Sequence, residues 1–120
     1  MVLSETKPQA NDSEWQIPPQ LAEAVRRLVE AYQPEAIWLF GSHARGEAGP
    51  NSDYDLMVIV PDDADRKRSQ SMWAYPLLWG IGTAIDVLVW KKTDFESRAI
   101  YVICSLPATV RREGKLLYAN

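Results

Sequence analysis

The chain of 120 residues contains one cysteine and one histidine. A single cysteine excludes an internal disulfide framework and fits a reducing compartment. Cys104 itself reads as a small buried apolar residue. The lone histidine, His43, builds neither a catalytic triad nor a zinc site with this inventory. Long hydrophobic runs are missing too. The longest, residues 75–85, is too short to span a bilayer and is followed by Asp86. The N-terminus lacks the charged-then-apolar pattern of a secretory signal. No membrane association is expected, and a cytoplasmic location is. Nor is there a strong charge of either sign: a net −3 gives no broad basic field, which disfavours extended nucleic-acid binding. Internal repeats and low-complexity tracts are absent.

Against these absences stand 47% apolar residues and five tryptophans, enough for one cored domain. Residues 1–16 are polar and aperiodic and read as a flexible leader, with Trp15 pinning its end; residues 17–120 form the domain. Pro18 and Pro19 suit a helix start, and Leu21, Val25, Leu28 and Tyr32 recur at helical spacing until Gln33-Pro34. Residues 36–40 (AIWLF) and 56–60 are apolar on both faces and predict buried strands. A helix is expected over 64–80, capped by Asp62 or Asp63, with Met72, Trp73, Leu77 and Ile81 inward and Pro76 kinking or splitting it. Residues 85–90 (IDVLVW) read as a third buried strand. Thr93 to Glu96 carries a capping-box pattern. Ser105 suits an N-cap with Pro107 in the first turn and Gly114 beyond the end, and residues 115–118 close the chain as an edge strand. The alternation predicts an α+β, α/β-like domain with a small mixed sheet flanked by helices.

The chemistry concentrates in residues 38–60. Gly41 stands where the backbone must turn sharply, and Ser42 suits an N-cap for a short turn over 43–47. Backbone N–H groups at such a corner suit a phosphate. Asp53 and Asp55 open the following strand; at i and i+2 they share a face, roughly 6 to 7 Å apart along the strand. Two carboxylates so placed either sit in solvent or hold a hard cation such as Mg²⁺. A D-x-D alone arises by chance in about one chain in three of this length. Its position at the head of an apolar strand, and a third carboxylate, Asp86, interrupting another, argue for a metal site. A metal site beside a phosphate site is what phosphoryl or nucleotidyl transfer needs.

Gly41-Ser42-x-x-Arg45-Gly46, then Ser52-Asp53-x-Asp55-Leu56, then an aspartate opening a later strand, closely resembles the DNA polymerase β-like nucleotidyltransferase superfamily. The short length and the ending Glu113-Gly114-Lys115-Leu116-Leu117-Tyr118 resemble its stand-alone minimal members. The resemblance spans roughly residues 20–119. It implies that Asp53, Asp55 and Asp86 bind two Mg²⁺ ions and are catalytic, and that Gly41 and Ser42 hold the phosphates of ATP or another nucleoside triphosphate. Arg45 would pair with a phosphate or brace an aspartate. Tyr54 and Leu56 should point away into the core, and the tryptophans should pack.

Minimal nucleotidyltransferases of this kind often act as antitoxins that modify a HEPN-domain ribonuclease toxin. The resemblance therefore implies transfer of AMP, or another NMP, to a hydroxyl on a partner protein. Neutralising that partner by contact alone, and small-molecule (antibiotic) transfer, are the competing readings; the second usually needs an extra helical domain. Acceptor, base preference and oligomeric state, a homo-oligomer included, are not written in the motifs. Asp53→Asn or Asp55→Asn is expected to abolish Mg²⁺-dependent pyrophosphate release, and undiminished turnover in either variant would refute the two-metal mechanism.

Overall fold

Two prolines set the first element in place. In the computed structural model, which describes residues 16–49 and 52–120, α1 spans Pro19–Tyr32 with Pro18 at its N-cap. Its Leu21, Ala24, Val25, Leu28 and Tyr32 are buried at helical spacing. The leader through Trp15 and the loop residues Pro50 and Asn51 lie outside the described residues.

Four strands form one mixed sheet: β1 (Ala36–Phe40), β2 (Tyr54–Val60), β3 (Ile85–Lys91) and β4 (Lys115–Ala119), in the order β3-β2-β1-β4. β1 lies antiparallel to both β2 and β4, while β2 and β3 run parallel. The helices are α2 (Ser42–Arg45), α3 (Ala74–Leu77), α4 (Lys92–Tyr101) and α5 (Leu106–Glu113). The α+β expectation holds.

The doubly apolar strands are explained by a core on each side of the sheet. One face sends Ile37, Leu39, Leu56, Val58, Val60 and Val87 against α1 and the segment around α3. The other buries Met57 and Ile59 with Phe95 of α4 and Val110 of α5, flanked by Trp38, Phe40 and Trp90. As expected, Leu56 is core and Tyr54 packs against the first cluster.

Several expectations are corrected. Residues 64–80 do not form one helix: two 3-10 turns, Lys67–Ser69 and Ser71–Trp73, precede the single α-turn α3. The break falls at Gln70, whose backbone is extended (φ −115°, ψ 132°), and not at Pro76. Tertiary bonds explain it. Tyr32 Oη donates to the Gln70 carbonyl (2.6 Å), and Arg68 Nε donates to the Tyr32 carbonyl (2.9 Å), capping the end of α1. Met72, expected inward, is 79% exposed, and Trp79 is 86% exposed.

β3 is an edge strand, not a doubly buried one, with Asp86 and Leu88 facing out on its open side. Cys104 is exposed. The expected capping box at α4 is replaced by a bond from outside: Asp62, which does not cap a helix of its own, accepts from both the backbone N–H and the hydroxyl of Thr93. Ser105 caps α5 as expected, accepting from Ala108 N at 3.2 Å.

Gly114 joins α5 to β4 under tight sterics. A Cβ there would lie 2.6 Å from the Val110 carbonyl oxygen and 2.9 Å from that of Leu39. Backbone atoms cannot swing aside as a flexible side chain can. Gly114→Ala is expected to cost about 1 to 3 kcal/mol, read as a lowered urea midpoint; an unchanged midpoint would show that the joint has room to spare.

Candidate active site

The parallel register places Asp55 beside Asp86, and the antiparallel register places Phe40 on the other side of Asp55. Register partners present their side chains on one face. Three rows therefore run across that face: Phe40, Asp55 and Asp86; then Trp38, Met57 and Leu88; then Ala36, Ile59 and Trp90. The helices carrying Phe95 and Val110 cover Met57 and Ile59 with Trp38 and Trp90, while Leu88 and the acidic row lie at the open end. Asp53 stands two residues before Asp55, ahead of the strand, and is exposed.

Asp55 experiences this arrangement directly. Burial first, then the charges of Asp86 and Asp53, push its carboxyl above the usual carboxylate range, against opposing pulls from His43 and Arg45. Its neighbour across the corner is Gly41, held at φ 79°. A Cβ built on Gly41 would overlap Asp55 Oδ2, so only glycine lets the corner and the carboxylate come this close.

The corner differs in detail from expectation. Gly41 is the N-cap and the helix begins at Ser42, whose side chain makes no capping bond. The positive φ at Gly41 completes the turn one residue early. The opening N–H groups of a helix have no intrahelical partner, and the Ser42 hydroxyl is not committed to a cap. Arg45 does not brace an aspartate: its Nε donates to Glu47 Oε1 at 2.9 Å, and its other end lies 4.0 Å from Glu113. The Glu47 bond raises its pKa.

His43, set aside as a ligand by sequence reasoning, is firmly placed. Its Nε2 lies 3.0 Å from the Ser52 carbonyl oxygen, and its ring stacks on Tyr54 with centroids 3.9 Å apart. Nothing local in the sequence announced either contact, because both partners lie beyond the intervening loop.

Among the described residues, no three His, Cys, Asp or Glu side chains form a group able to hold a metal ion unaided. That does not argue against Mg²⁺, which is usually held by one or two carboxylates, with waters and substrate phosphates completing its shell. The donor set fits: Asp55 and Asp86 abreast, with Asp53 close enough to raise the Asp55 pKa, offer only hard oxygen ligands whose mutual repulsion a cation relieves.

A family profile described as a nucleotidyltransferase domain matches residues 19–109, from the start of α1 into α5. The chain belongs to the nucleotidyltransferase domain family. This nucleotidyltransferase is also similar to a solved structure described as a toxin-antitoxin with AMP-PNP, at 25% identity and a TM-score of 0.55, covering 86% of this chain and 75% of that one. A second similar structure, described as a candidate nucleotidyltransferase from Sulfolobus solfataricus, is 15% identical with a TM-score of 0.47, over 90% of this chain and 94% of that one. No curated protein matched the sequence. Among the described residues, no helix is long and apolar enough to cross a membrane.

The raised pKa of Asp55 has a stability consequence. A carboxyl whose folded pKa exceeds its unfolded value costs stability once the pH passes the folded value, and that cost disappears below the unfolded value. With divalent cations chelated, Asp55→Asn is expected to raise the melting temperature at neutral pH. The gain should shrink as the pH falls toward about 4. A lower melting temperature at neutral pH would show instead that its surroundings favour the ionised carboxylate.

Proposed function

We propose that this nucleotidyltransferase moves AMP from ATP, or another NMP, to a hydroxyl on a partner protein, as the antitoxin of a toxin–antitoxin pair whose toxin is a HEPN-domain ribonuclease. The observation that carries the reading is the acidic row at the open end of the sheet, one glycine away from the Gly41-Ser42 corner. Likeness to a toxin-antitoxin with AMP-PNP supports both the nucleotide and the partner. A cytoplasmic setting, where ATP and Mg²⁺ are available, agrees with it.

The residues divide the work. Asp53, Asp55 and Asp86 would hold two Mg²⁺ ions, which when bound neutralise the triphosphate and lower the pKa of the acceptor hydroxyl. Ser42 and the N–H groups opening α2 hold the β- and γ-phosphates. The acceptor oxygen bonds to the α-phosphorus as the bond from that phosphorus to the bridging oxygen breaks, and pyrophosphate departs. Asp86, exposed on the edge strand, is accessible to an incoming hydroxyl and takes its proton.

Neutralisation by contact alone is the second reading. It draws on the exposed apolar residues at the end of α4 and beyond, Ile100, Tyr101, Val102 and Ile103. The two part cleanly in one experiment. The protein is incubated with its co-purifying partner, Mg²⁺ and ATP labelled at the α-phosphate, and intact masses are measured. Transfer of one AMP to the partner, lost in Asp86→Asn, is the expected result. Full neutralisation of the partner with no adduct would establish the contact reading and remove the catalytic one.

A further inference from the structure

The site is assembled from three chain segments, with Asp86 supplied by β3. The phosphate corner belongs to the start of α2, while Asp53 and Asp55 belong to the segment entering β2, and the loop between them includes residues 46–49. No backbone ladder joins α2 to that segment, since β2 pairs with β1 and β3. Gly41 abuts the Asp55 carboxylate, and one side chain of α2 reaches the residues on either side of Asp53.

The geometry points to His43 as the positioning residue that fixes the corner against the carboxylates, an inference that rests on the proposed transferase site. From α2, its ring reaches both sides of Asp53. Nε2 lies 3.0 Å from the carbonyl oxygen of Ser52, the residue before Asp53, and the ring face lies on Tyr54, the residue after it. Because a carbonyl only accepts, Nε2 carries the hydrogen. That bond holds the backbone where it enters the strand, beside the Tyr54 N–H bond to the Ala84 carbonyl, and the stack, with its planes 22° apart, holds the imidazole against Tyr54. Tyr54 in turn packs against the main core, so it is a firm platform. Ser52 is also tied to Gly49 twice, its Oγ accepting from Gly49 N at 2.9 Å and its own N–H donating to the Gly49 carbonyl at 3.2 Å, and neither bond reaches α2. Together with the β1–β2 register, which seats Gly41 against Asp55, the His43 side chain thus holds the corner against the segment that carries Asp53 and Asp55. Displacement of a reacting centre by about 1 Å can cost on the order of a hundredfold in rate, so loosening this tie slows turnover.

Three variants separate the components. His43→Ala removes both contacts, His43→Phe keeps the stack without the donor, and His43→Gln keeps a donor without the ring. The first measurement needs no nucleotide: ¹⁵N relaxation of the apoprotein over residues 52–55, which should be as rigid as β2 in the native chain. Increased mobility there in His43→Ala, with partial recovery in His43→Gln or His43→Phe and order retained in β1 and β4, is the expected result. The second is Mn²⁺ binding followed by electron paramagnetic resonance with AMP-PNP present, alongside kcat and KM. Here kcat in His43→Ala should fall about 10- to 100-fold and Mn²⁺ affinity should drop, with recovery in the same order.

Unchanged relaxation over 52–55 in His43→Ala would overturn the inference, whatever the nucleotide does. If the native protein neither binds Mn²⁺ with AMP-PNP nor transfers a nucleotide, while His43→Ala still loosens the segment, the tie stands and the transferase reading falls.

Discussion

Asp55 and Asp86 stand abreast because β2 and β3 run parallel and in register, and that pairing holds two like charges against their mutual repulsion. What enforces it is apolar packing. Leu56, Val58, Val60 and Val87 are locked into one core while Met57 and Ile59 are locked into the other. A slip of one residue would send every one of these side chains to the wrong face, so the register is specified many times over. The cost at the acidic row is local, while the gain is distributed along the whole strand pair. A cation would relieve that cost, so the same packing that makes the fold also makes a cation-seeking edge.

The corner at Gly41 follows from the same placement. Once Phe40 pairs with Asp55, the chain leaving β1 must turn immediately beside that carboxylate. A residue with a Cβ would collide with Asp55 Oδ2 and would resist φ 79° as well. The backbone angle therefore calls for glycine, and any side chain there would also push the Asp55 carboxylate from its place. The turn brings the unbonded N–H groups of α2 next to the carboxylates, where a triphosphate and its cations would share a single pocket of opposite charges. Stability and function pull apart here, as they do wherever like charges are gathered for chemistry.

Sequence pattern exposed those parts whose signals are local. The helical repeat Leu21, Val25, Leu28 and Tyr32 reads out α1, and the doubly apolar 36–40 and 56–60 read out the inner strands, because a core lies on each face. Ser105 and Pro107 open α5 for reasons contained within a few residues, whereas Gly114 closes it under contact with the distant Leu39 as well. The errors lie where a distant partner outbids the local signal. Helical spacing in 64–80 loses to bonds that Gln70 and Arg68 make with the end of α1. The capping pattern at Thr93 gives way to Asp62, thirty-one residues earlier in the chain. IDVLVW looks doubly buried because its apolar residues are continuous, yet Leu88 is exposed where no helix covers the acidic end of the sheet. His43 carried no signal at all, since its partners Ser52 and Tyr54 meet it only after the loop has closed.

The exposed position of β3 is itself informative. A free strand edge invites pairing with other chains, and proteins blunt it with charge, with side-chain bonds or with short strands. Here Asp86 charges the acidic end, Lys91 the other, and Ser71 Oγ accepts from Val89 N between them. Burying Asp86 under another strand or helix would have protected the edge more completely. It would also have covered that carboxylate, which is exposed to molecules approaching from outside. An edge defended by charge and one bond, and left uncovered at its acidic end, suits a site whose acceptor arrives on another molecule. It is poorly suited to a reaction completed within a sealed cavity.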